Sequence, residues 1–537
     1  MIRTVVVRKN RYYDSIFLMG VARRIASEPG IADAYALLAT PANRKALSEL
    51  GYGDGGRDAD YAAAGPNDLL FALEGEAEAV AAIAARVDTY LSTGARPPSR
   101  PGQPIEPRSI AEAVAARPDC SVAVISVPGE FATREARTAL QNGLHVFLFS
   151  SNVSVADERA LKTEARQRGL IVMGPDCGTG YLGGAGIGFA NAVRRGPIGI
   201  VGSTGTGMQE FASLIHRAGS GISNGVGTGS RDLSDAVGGI STMTAIDALE
   251  ADPATKVIAV MSKPPGAAAT AMLEQRLGRC TKPVVLCLLG AERGRRNARP
   301  ASDAAREQAQ IGSAFTIDEA VELSLRVIGK PTPPFLLFDE GAMRETAAAE
   351  IGKMHPRQRH VRGLFVGGTL CYQAQDIFLR SGLAVHSNAP MPGASGLADP
   401  DQSRDTTFVD MGAESFVQGR PHPMIDGSQR RKRLEREGKD PAAAVILLDF
   451  VLGAIASRDP VGEVLGALRD IKEAARAGGN HLCIAASVCG TEEDRQGLDG
   501  QKRALTEAGV IVFPSSAQAA AFCREAARLL ERREVAG

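Results

Sequence analysis

The sequence has no tryptophan, only 5% aromatic residues and no excess of either charge, and each of these shortages narrows the possible functions. Lysine and arginine (61) balance aspartate and glutamate (61), so the whole chain has no net field that would recruit nucleic acid or a membrane surface. No apolar run reaches the roughly 18 residues that a membrane-spanning helix needs. We therefore expect a small-molecule ligand and protein partners, with no nucleic acid and no membrane.

The cysteines are scattered rather than paired. There are eight, and none forms a Cys-x-x-Cys motif. In a chain of 537 residues this favours reduced thiols over a disulfide framework. The first residues, Met1 to Val7, read as a strand without the layout of a signal peptide. Together these features predict a cytoplasmic location.

Short apolar runs alternate with amphipathic stretches along most of the chain, and glycine is abundant, with 60 residues. This alternation predicts an α/β fold with parallel sheets and helices on both faces. The strands that we predict are Thr4–Val7, Ala34–Leu38, Asp68–Ala72, Val122–Val127, Val146–Phe149, Ile171–Met173, Ile198–Val201, Val257–Met261, Val284–Leu288, Gly363–Val366, Thr407–Asp410, Val445–Phe450, Cys483–Ser487 and Val510–Phe513.

The most informative segment runs from Gly196 to Glu210. It predicts a buried strand, then a loop of small residues, then a helix from about Met208. Glycines let the backbone approach a ligand closely, and the free N–H groups of a helix start favour an anion. The alternative is a glycine-rich turn that binds nothing. The residues that we predict to bind phosphate here, called the cradle below, are Ser203, Thr204, Gly205, Thr206 and Gly207.

The segment has an internal counterpart. Gly363-Leu-Phe-Val-Gly-Gly-Thr-Leu370 begins a second unit like the one that starts at Ile198, and in each unit an Asp-Pro pair precedes a later buried strand. This order predicts two related domains. Two proline-rich stretches, residues 95–107 and 331–334, predict linkers, the second extending to about Arg362.

Several motifs resemble the succinyl-CoA synthetase superfamily. Val122–Phe131, Val172–Gly178 and the 196–210 segment resemble its alpha subunit, and Phe408–Gly412 with Val445–Gly453 resembles the carboxyl-terminal domain of its beta subunit. Tyr13–Met19 with Ala39–Asn43, Met173–Thr179 and Gly419–Asp426 look more specifically like FdrA proteins.

The resemblance implies three domains. The first is a Rossmann-type, CoA-binding-like domain over residues 1–195, which contains the 95–107 linker. A flavodoxin-like synthetase domain over 196–330 and a second one over 363–537 follow, separated by a linker at 331–362.

The chain departs from the synthetases where they activate an acid with ATP. It has no room for an ATP-grasp domain, and no histidine follows Met261, where Ser262-Lys-Pro-Pro-Gly266 stands instead. The loop that would hold CoA phosphates, Asn10 to Ser15, contains no glycine. We therefore expect phosphate or an acyl phosphate as the ligand, and weak or absent CoA binding.

In the synthetases two helix starts converge on a phosphoryl group, which implies a second one here at Gly453 and Ala454. The FdrA resemblance implies one component of an oxamate carbamoyltransferase, which converts oxalurate and phosphate to oxamate and carbamoyl phosphate. A carboxylate or ureide substrate, co-encoded subunits and a homo-oligomer follow as expected partners. Two alternatives remain open: an acid–CoA ligase subunit that needs a separate ATP-grasp chain, and a non-enzymatic scaffold that responds to CoA or a nucleotide.

Two residues outside the cradle are candidates for catalysis. His422 and Arg420 lie in Arg-Pro-His-Pro-Met-Ile-Asp426, whose prolines stiffen the loop. The histidine is suited to proton transfer and the arginine to a carboxylate. A rigid surface turn without a role in chemistry is the alternative.

Three further residues are candidates for substrate binding. Asp176 and Cys177 follow a strand end, where open α/β sheets place ligands, and Lys263 follows another. Cys177 as a small buried thiol and Lys263 as a solvated side chain are the alternatives. The basic run Arg430 to Arg433 predicts a solvated helix face.

The missing histidine leads to a first prediction. Incubation of the purified chain with labelled ATP should leave no phosphoenzyme, because neither the ATP-grasp domain nor the acceptor histidine is present. Quenching with SDS at alkaline pH, which preserves phosphohistidine, followed by gel autoradiography is the measurement. An acid-labile phosphohistidine on this chain would contradict the prediction.

Overall fold

The computed structural model describes residues 1–11, 13, 15–53, 59–92, 107–290, 311–417 and 420–536. The chain divides into two compact units. The first consists of Met1–Pro118 with Glu414–His422, and the second of Asp119–Ala413 with Pro423–Gly537. Among the helices of these described ranges, none combines the length and the apolarity that crossing a membrane requires.

The first unit is built on an antiparallel sheet with the strand order β1-β3-β2. Helices α1 and α4 pack on one face through Val21, Ile25, Val80 and Val87, and side chains such as Leu47 and Tyr61 cover the other face. The elements are β1 (Ile2–Arg8), α1 (Ser15–Ala26), β2 (Ile31–Leu38), α2 (Pro41–Glu49), α3 (Ala59–Ala62), β3 (Leu69–Gly75), α4 (Ala77–Ser92) and α5 (Ile110–Ala116), with α14 (Glu414–Val417) added from later in the chain.

This antiparallel sheet differs from the single Rossmann-type domain that the resemblance implied for residues 1–195. An apolar run of five to seven residues marks a buried strand but carries no signal for its direction, which depends on the connection and the pairing partner. Most of the predicted 95–107 linker lies outside the described residues.

The second unit opens with the parallel, Rossmann-type part of the chain. Three parallel strands pair in the order β4-β5-β6. Helix α6 follows β4, and helix α7 follows β5. Its elements are β4 (Val122–Ile125), α6 (Gly129–Gln141), β5 (His145–Leu148), α7 (Val155–Gln167) and β6 (Val172–Met173).

A first flavodoxin-like sheet follows, with the order β13-β12-β11-β9-β10-β7-β8. Strands β9 to β13 are parallel to their neighbours, and the hairpin β7–β8 adds antiparallel to β10 at the edge. The elements are β7 (Thr179–Leu182), β8 (Ala185–Gly188), β9 (Arg195–Gly202), α8 (Gly205–Arg217), β10 (Ile222–Gly227), α9 (Ile240–Ala251), β11 (Val257–Ser262), α10 (Ala267–Leu277), β12 (Val284–Leu288), β13 (Ile311–Ala314) and α11 (Ile317–Val327).

The second flavodoxin-like sheet has the order β16-β15-β17-β14-β18-β19-β20. In both sheets the strand before the glycine turn, β9 or β14, is the central strand. The strands that come next along the chain (β10, or β15 to β17) lie on one side of it, and the later ones (β11 to β13, or β18 to β20) lie on the other. This shared order confirms in topology that the two domains are related. The elements are α12 (Glu340–Ile351), β14 (His360–Phe365), α13 (Gly368–Leu379), β15 (His386–Ser387), β16 (Ser395–Gly396), β17 (Thr407–Asp410), α15 (Ser428–Gly438), β18 (Ala443–Val451), α16 (Gly462–Ala477), β19 (Cys483–Cys489), α17 (Leu498–Glu507), β20 (Ile511–Phe513) and α18 (Ser516–Ala536).

Two surface assignments made from the sequence are wrong. Helix α12 lies inside the predicted 331–362 linker and is held by the buried side chains Met343, Ala347 and Ile351. Arg430 and Arg433 are buried rather than solvated, because Asp449 and Glu437 supply the opposite charge. The local sequence shows only a proline-rich stretch and a basic run. It indicates neither the packing of α12 nor the carboxylates that pair with the two arginines.

Buried amides hold the two flavodoxin-like sheets together. The Gln209 side-chain amide on α8 donates to the carbonyl of Phe189 at 2.7 Å, the Asn191 side chain at 3.2 Å and the carbonyl of Leu452 at 3.2 Å. Asn191 donates to the same Leu452 carbonyl at 2.8 Å and to Asp494 at 2.9 Å. Since Leu452 and Asp494 belong to the second sheet region, this network fixes where α8 sits against it.

The network generates a stability prediction. Gln209→Met keeps the side-chain volume but leaves the Phe189 carbonyl and the Asn191 side-chain oxygen without this donor. Each buried polar group left unsatisfied costs about 1–3 kcal/mol, so we expect a loss of about 2–4 kcal/mol. Denaturant unfolding measures it. Gln275→Met, at an exposed position of α10, is the matched control and should change stability by less than about 0.5 kcal/mol. Equal unfolding curves for the two variants would contradict the prediction.

Candidate functional site

The cradle forms the start of α8, directly after the central strand β9. Thr204 caps the helix, and its hydroxyl accepts a hydrogen bond from the Gly207 N–H at 3.2 Å. The Ser203 hydroxyl bonds to that of Ser262 at 2.6 Å, at the end of neighbouring strand β11. The N–H groups of Gly205 and Thr206 lie in the first turn of α8, where the helix itself supplies no acceptor. With the helix dipole behind them, they are two donors suited to an anion.

Thr179 adds a hydroxyl that sequence analysis did not single out. Its side chain is buried, and its hydroxyl oxygen has no hydrogen-bond partner in the described part of the chain. A Cβ placed on Gly205 would lie 3.5 Å from that oxygen, so the hydroxyl faces the start of α8. An unpaired buried hydroxyl is costly unless a ligand completes it. In the sequence, the one feature that could have pointed to Thr179 as a site residue is its position directly after Gly174-Pro-Asp-Cys-Gly178.

The start of α13 meets the cradle. The hydroxyls of Thr204 and Thr369 are in hydrogen-bond contact. A Cβ on Gly367 would lie 3.1 Å from the Cβ of Thr206, so glycine is what allows the turn before α13 to approach this closely. The two glycine turns that the sequence repeats therefore converge, at the carboxyl ends of β9 and β14.

We expected the second helix start at Gly453 and Ala454, and this is wrong. The helix start that contacts the cradle is that of α13. No helix forms between β18 and Gly462. The Ala454 N–H donates to the carbonyl of Ala190 at 3.0 Å, and a Cβ on Gly453 would lie 2.0 Å from the carbonyl oxygen of Phe189. Because this backbone packs against the 189–190 segment, its N–H groups are not arranged as a phosphate site.

A buried carboxylate holds the turn that precedes α13. Asp449 accepts from the Val366 N–H at 2.7 Å and from the Gly367 N–H at 2.8 Å. Burial raises the pKa of Asp449, and the nearby Arg430 guanidinium, at 3.6 Å, opposes that rise. Asp449 also lies near the start of α8, since a Cβ on Gly367 would lie 3.0 Å from its Oδ2 atom and 3.1 Å from the Cβ of Thr206.

Lys263 lies beside this junction with an exposed side chain. Its ammonium group is 5.0 Å from the centre of the Tyr372 ring on α13. Burial raises the pKa of Asp410, at the end of β17, to about 6, and the charge of Lys263 acts in the opposite direction. The structure thus places Lys263 near the second turn, in reach of an anion held at the junction.

Cys177 is a core residue of the first flavodoxin-like sheet. Its thiol donates to the carbonyl oxygens of Thr179 at 3.5 Å and Gly227 at 3.4 Å, and burial raises its pKa to about 12. A thiol with such a pKa is protonated at neutral pH and is not a nucleophile. Its neighbour Asp176 is exposed and accepts from the Ser230 hydroxyl at 3.3 Å.

Arg420 and His422 belong to the first compact unit, whereas the cradle belongs to the second. Burial raises the pKa of Tyr35 on β2, and the positive charge of Arg420 opposes this rise. Burial lowers the pKa of His422 to about 4, so its imidazole is neutral at physiological pH. The proposed catalytic role of these two residues stays a prediction.

Three family models match parts of the chain. One described as CoA-ligase matches residues 364–526, one described as CoA binding domain matches residues 193–286, and one described as "AllF, heavy metal-associated domain" matches residues 1–104. The first two cover the two flavodoxin-like sheets, and the third covers the antiparallel sheet of the first unit.

The first unit does not fit a heavy-metal ion. Residues 1–104 contain neither cysteine nor histidine, the ligands that soft metals prefer, and the described residues contain no group of three potential ligands. After β1, Asp68 accepts from the Asn10 N–H at 2.9 Å and from Lys9 at 3.0 Å. Backbone N–H bonds and Lys9 lower the Asp68 pKa to about 2. Weak or absent CoA binding stays a prediction.

Two solved structures are similar to the chain over most of its length. The chain is 16% identical to ATP citrate lyase from Methanothrix soehngenii in complex with citrate and coenzyme A, over 80% of this chain and 85% of that one, with a TM-score of 0.35. It is 17% identical to the dinucleotide-forming acetyl-coenzyme A synthetase 1 of Ca. Korarchaeum cryptofilum, over 77% and 84%, with a TM-score of 0.28.

A full-length relative is much more similar. The uncharacterized protein YahF of Escherichia coli is 38% identical over 528 residues, which cover 97% of this chain and 98% of YahF. Its match extends across the antiparallel unit and both flavodoxin-like sheets, in the same order as the three family models. The chain therefore belongs to the FdrA family of the succinyl-CoA synthetase superfamily.

Proposed function

We propose that the chain binds phosphate at the cradle and is one component of a carbamoyltransferase that interconverts oxalurate and phosphate with oxamate and carbamoyl phosphate. The observation that carries the proposal is the start of α8, where the buried Thr179 hydroxyl has no partner among the described residues and faces Gly205. The N–H groups of Gly205 and Thr206 lie in the first turn of this helix, which supplies no acceptor for them.

An unpartnered buried hydroxyl beside a helix start favours a free anion as the ligand. A superfamily member that forms a phosphohistidine needs a histidine at the junction, and the chain has none between His216 and His355. Without that acceptor, a phosphate that binds at the cradle reacts directly with a substrate. Lys263 supplies a positive charge near the same place, which stabilises the phosphate further.

The transfer balances without another reactant. A phosphate oxygen attacks the terminal carbamoyl carbon of oxalurate, and the bond from that carbon to the inner nitrogen breaks. Carbamoyl phosphate forms, and the proton lost from phosphate ends on the nitrogen of oxamate. Oriented N–H groups and a hydroxyl stabilise the phosphate and the oxyanion that develops, which is the largest contribution to catalysis in many acyl transfers.

The decisive experiment combines the purified chain with the proteins encoded beside it. Oxalurate and phosphate should yield oxamate and carbamoyl phosphate, detected by chromatography and by trapping the carbamoyl group. ATP and CoA should not be required. Absence of both products in a complete, folded complex would contradict the proposal.

An acid–CoA ligase is the second candidate. The matches to the CoA-ligase and CoA binding domain models favour it. In that case the chain should support ATP- and CoA-dependent formation of a thioester when an ATP-grasp chain is added. If neither assay gives product while CoA or a nucleotide binds, a regulatory scaffold is the remaining interpretation.

Gly205→Val tests the cradle directly. The new Cβ has room, since its nearest neighbours lie at 3.5 Å and 4.0 Å, so the fold should survive. The added methyl groups should cover the N–H groups of residues 205 and 206 and raise the Kd for phosphate by about 10-fold or more, because charge-assisted bonds contribute about 1.5–3 kcal/mol. Calorimetric titration with inorganic phosphate is the measurement.

The matched control is Gly466→Val. Gly466 is an exposed helical glycine of α16 with no atom within 4 Å of the added Cβ. This variant should keep its fold, because valine is no worse than glycine as a helix former, and it should keep its phosphate affinity. If both variants bind phosphate like the unaltered chain, the cradle is a structural turn only.

A further inference from the structure

We propose that Tyr372 and Lys263 form a subsite for the carboxylate of oxalurate and oxamate, with the Tyr372 hydroxyl and the Lys263 ammonium group as its donors. The proposal rests on the proposed function and names the residues that hold the second reactant beside the phosphate. Tyr372 lies outside every motif that the sequence analysis singled out. Lys263 stands in Ser262-Lys-Pro-Pro-Gly266, a segment in which the chain departs from the synthetases.

The first two turns of α13 reach the carboxyl ends of three neighbouring strands, β9, β11 and β12. Thr369, in the first turn, contacts Thr204 after β9. Tyr372 lies against Gly290 after β12, since a Cβ on Gly290 would be 2.9 Å from the tyrosine ring and 3.2 Å from its hydroxyl oxygen. Lys263, after β11, places its ammonium group 5.0 Å from the centre of the same ring. Tyr372 and Lys263 therefore meet beside the cradle.

The spacing of this pair from the cradle suits the second reactant. Tyr372 follows Thr369 by three residues, which is about one helical turn, or roughly 5 Å. Neighbouring strands of a sheet are also about 5 Å apart, so the two side chains face the ends of neighbouring strands. In oxalurate the carboxylate is at the opposite end from the carbamoyl carbon that the phosphate attacks. A phosphate at the cradle therefore needs a carboxylate site a short distance away, where Tyr372 and Lys263 lie.

Both polar groups lack a partner in the part of the chain that the structure describes. The Tyr372 side chain is only 7% exposed, yet its hydroxyl makes no hydrogen bond to a described residue. Hydroxyls buried to this extent are normally hydrogen-bonded. The Lys263 ammonium group makes neither a hydrogen bond nor an ion pair with a described residue. Its three N–H donors suffice for a carboxylate at this subsite and for the phosphate at the cradle.

The chemistry of the two groups selects a carboxylate. Burial raises the pKa of Tyr372 to about 12, and the charge of Asp376 adds to the rise, so the phenol stays protonated and can donate a hydrogen bond. The Lys263 ammonium group lies over the face of the ring, which orients it without neutralising its charge. A carboxylate accepts hydrogen bonds from both groups and supplies the counter-charge. A neutral amide in the same place supplies no counter-charge.

A packing role alone is the alternative for Tyr372, since its ring lies against Gly290. Tyr372→Phe separates the two roles, because it keeps the ring beneath the ammonium group and removes only the hydroxyl. Tyr61→Phe is the matched control. Tyr61 is also buried, at 8% exposed, but its hydroxyl donates to the Arg44 carbonyl at 3.2 Å and it belongs to the first compact unit.

The test is calorimetric titration of the full chain with oxamate and with oxamide, which differ by a carboxylate against a carboxamide. Inorganic phosphate is present, so that the cradle does not take the carboxylate. The unaltered chain should bind oxamate about 10-fold more tightly than oxamide or better. Tyr372→Phe should weaken oxamate binding by about 10-fold, the scale of a lost hydrogen bond to a charged group. Lys263→Met should abolish the preference for oxamate, and Tyr61→Phe should bind like the unaltered chain.

The binding result does not depend on whether the complex transfers a carbamoyl group. A preference for oxamate that Tyr372→Phe and Lys263→Met reduce would support the subsite even if no carbamoyl phosphate forms. Equal affinities for the two ligands, or no binding of either, would overturn it, as would an oxamate affinity that Tyr372→Phe leaves unchanged. In an active complex, Tyr372→Phe should raise the KM for oxamate by about 10-fold and leave that for carbamoyl phosphate unchanged. Equal rises in both KM values would assign Tyr372 to packing and overturn the proposal.

Discussion

The contact between the starts of α8 and α13 is the constraint on which the second compact unit depends. Thr204 meets Thr369 there, and glycine at 367 permits the approach. Buried amides further from the contact stabilise it, since the side chains of Gln209 and Asn191 both donate to the carbonyl of Leu452. A buried amide network is stable only when its members are satisfied together, so it specifies one arrangement of the two sheets.

The same contact brings two helix N-termini together, and without compensation their positive ends would repel. Asp449 supplies negative charge there, by accepting the N–H groups of Val366 and Gly367 in the turn before α13. At the start of α8 the buried Thr179 hydroxyl has no partner among the described residues. That hydroxyl beside a helix start is the physical basis for proposing phosphate as a reactant.

Predictions from local patterns succeeded where the signal was local. All fourteen apolar runs that we predicted as strands coincide with strands, and the cradle forms the turn expected of it. Predictions that depended on distant partners did not. The helix expected at Gly453 is absent because its backbone packs on residues 189–190, and Arg430 is buried because Asp449 lies beside it. Thr179 went unnoticed because a lone threonine after a strand has no distinctive pattern.

The sequence by itself determined the α/β class, the repeated glycine turns and the family, because apolar periodicity and short motifs are properties of neighbouring residues. Only the tertiary structure decided which turns meet, which carboxylate accepts the N–H groups of the turn before α13 and which buried hydroxyl faces the start of α8. Those choices depend on strand order and on burial, since residues such as Asp410, Asp449 and Lys263 acquire their electrostatic roles from groups far along the chain. The separation of Arg420 and His422 from the cradle into another compact unit has the same origin, because compact units are defined by packing between distant segments rather than by sequence order.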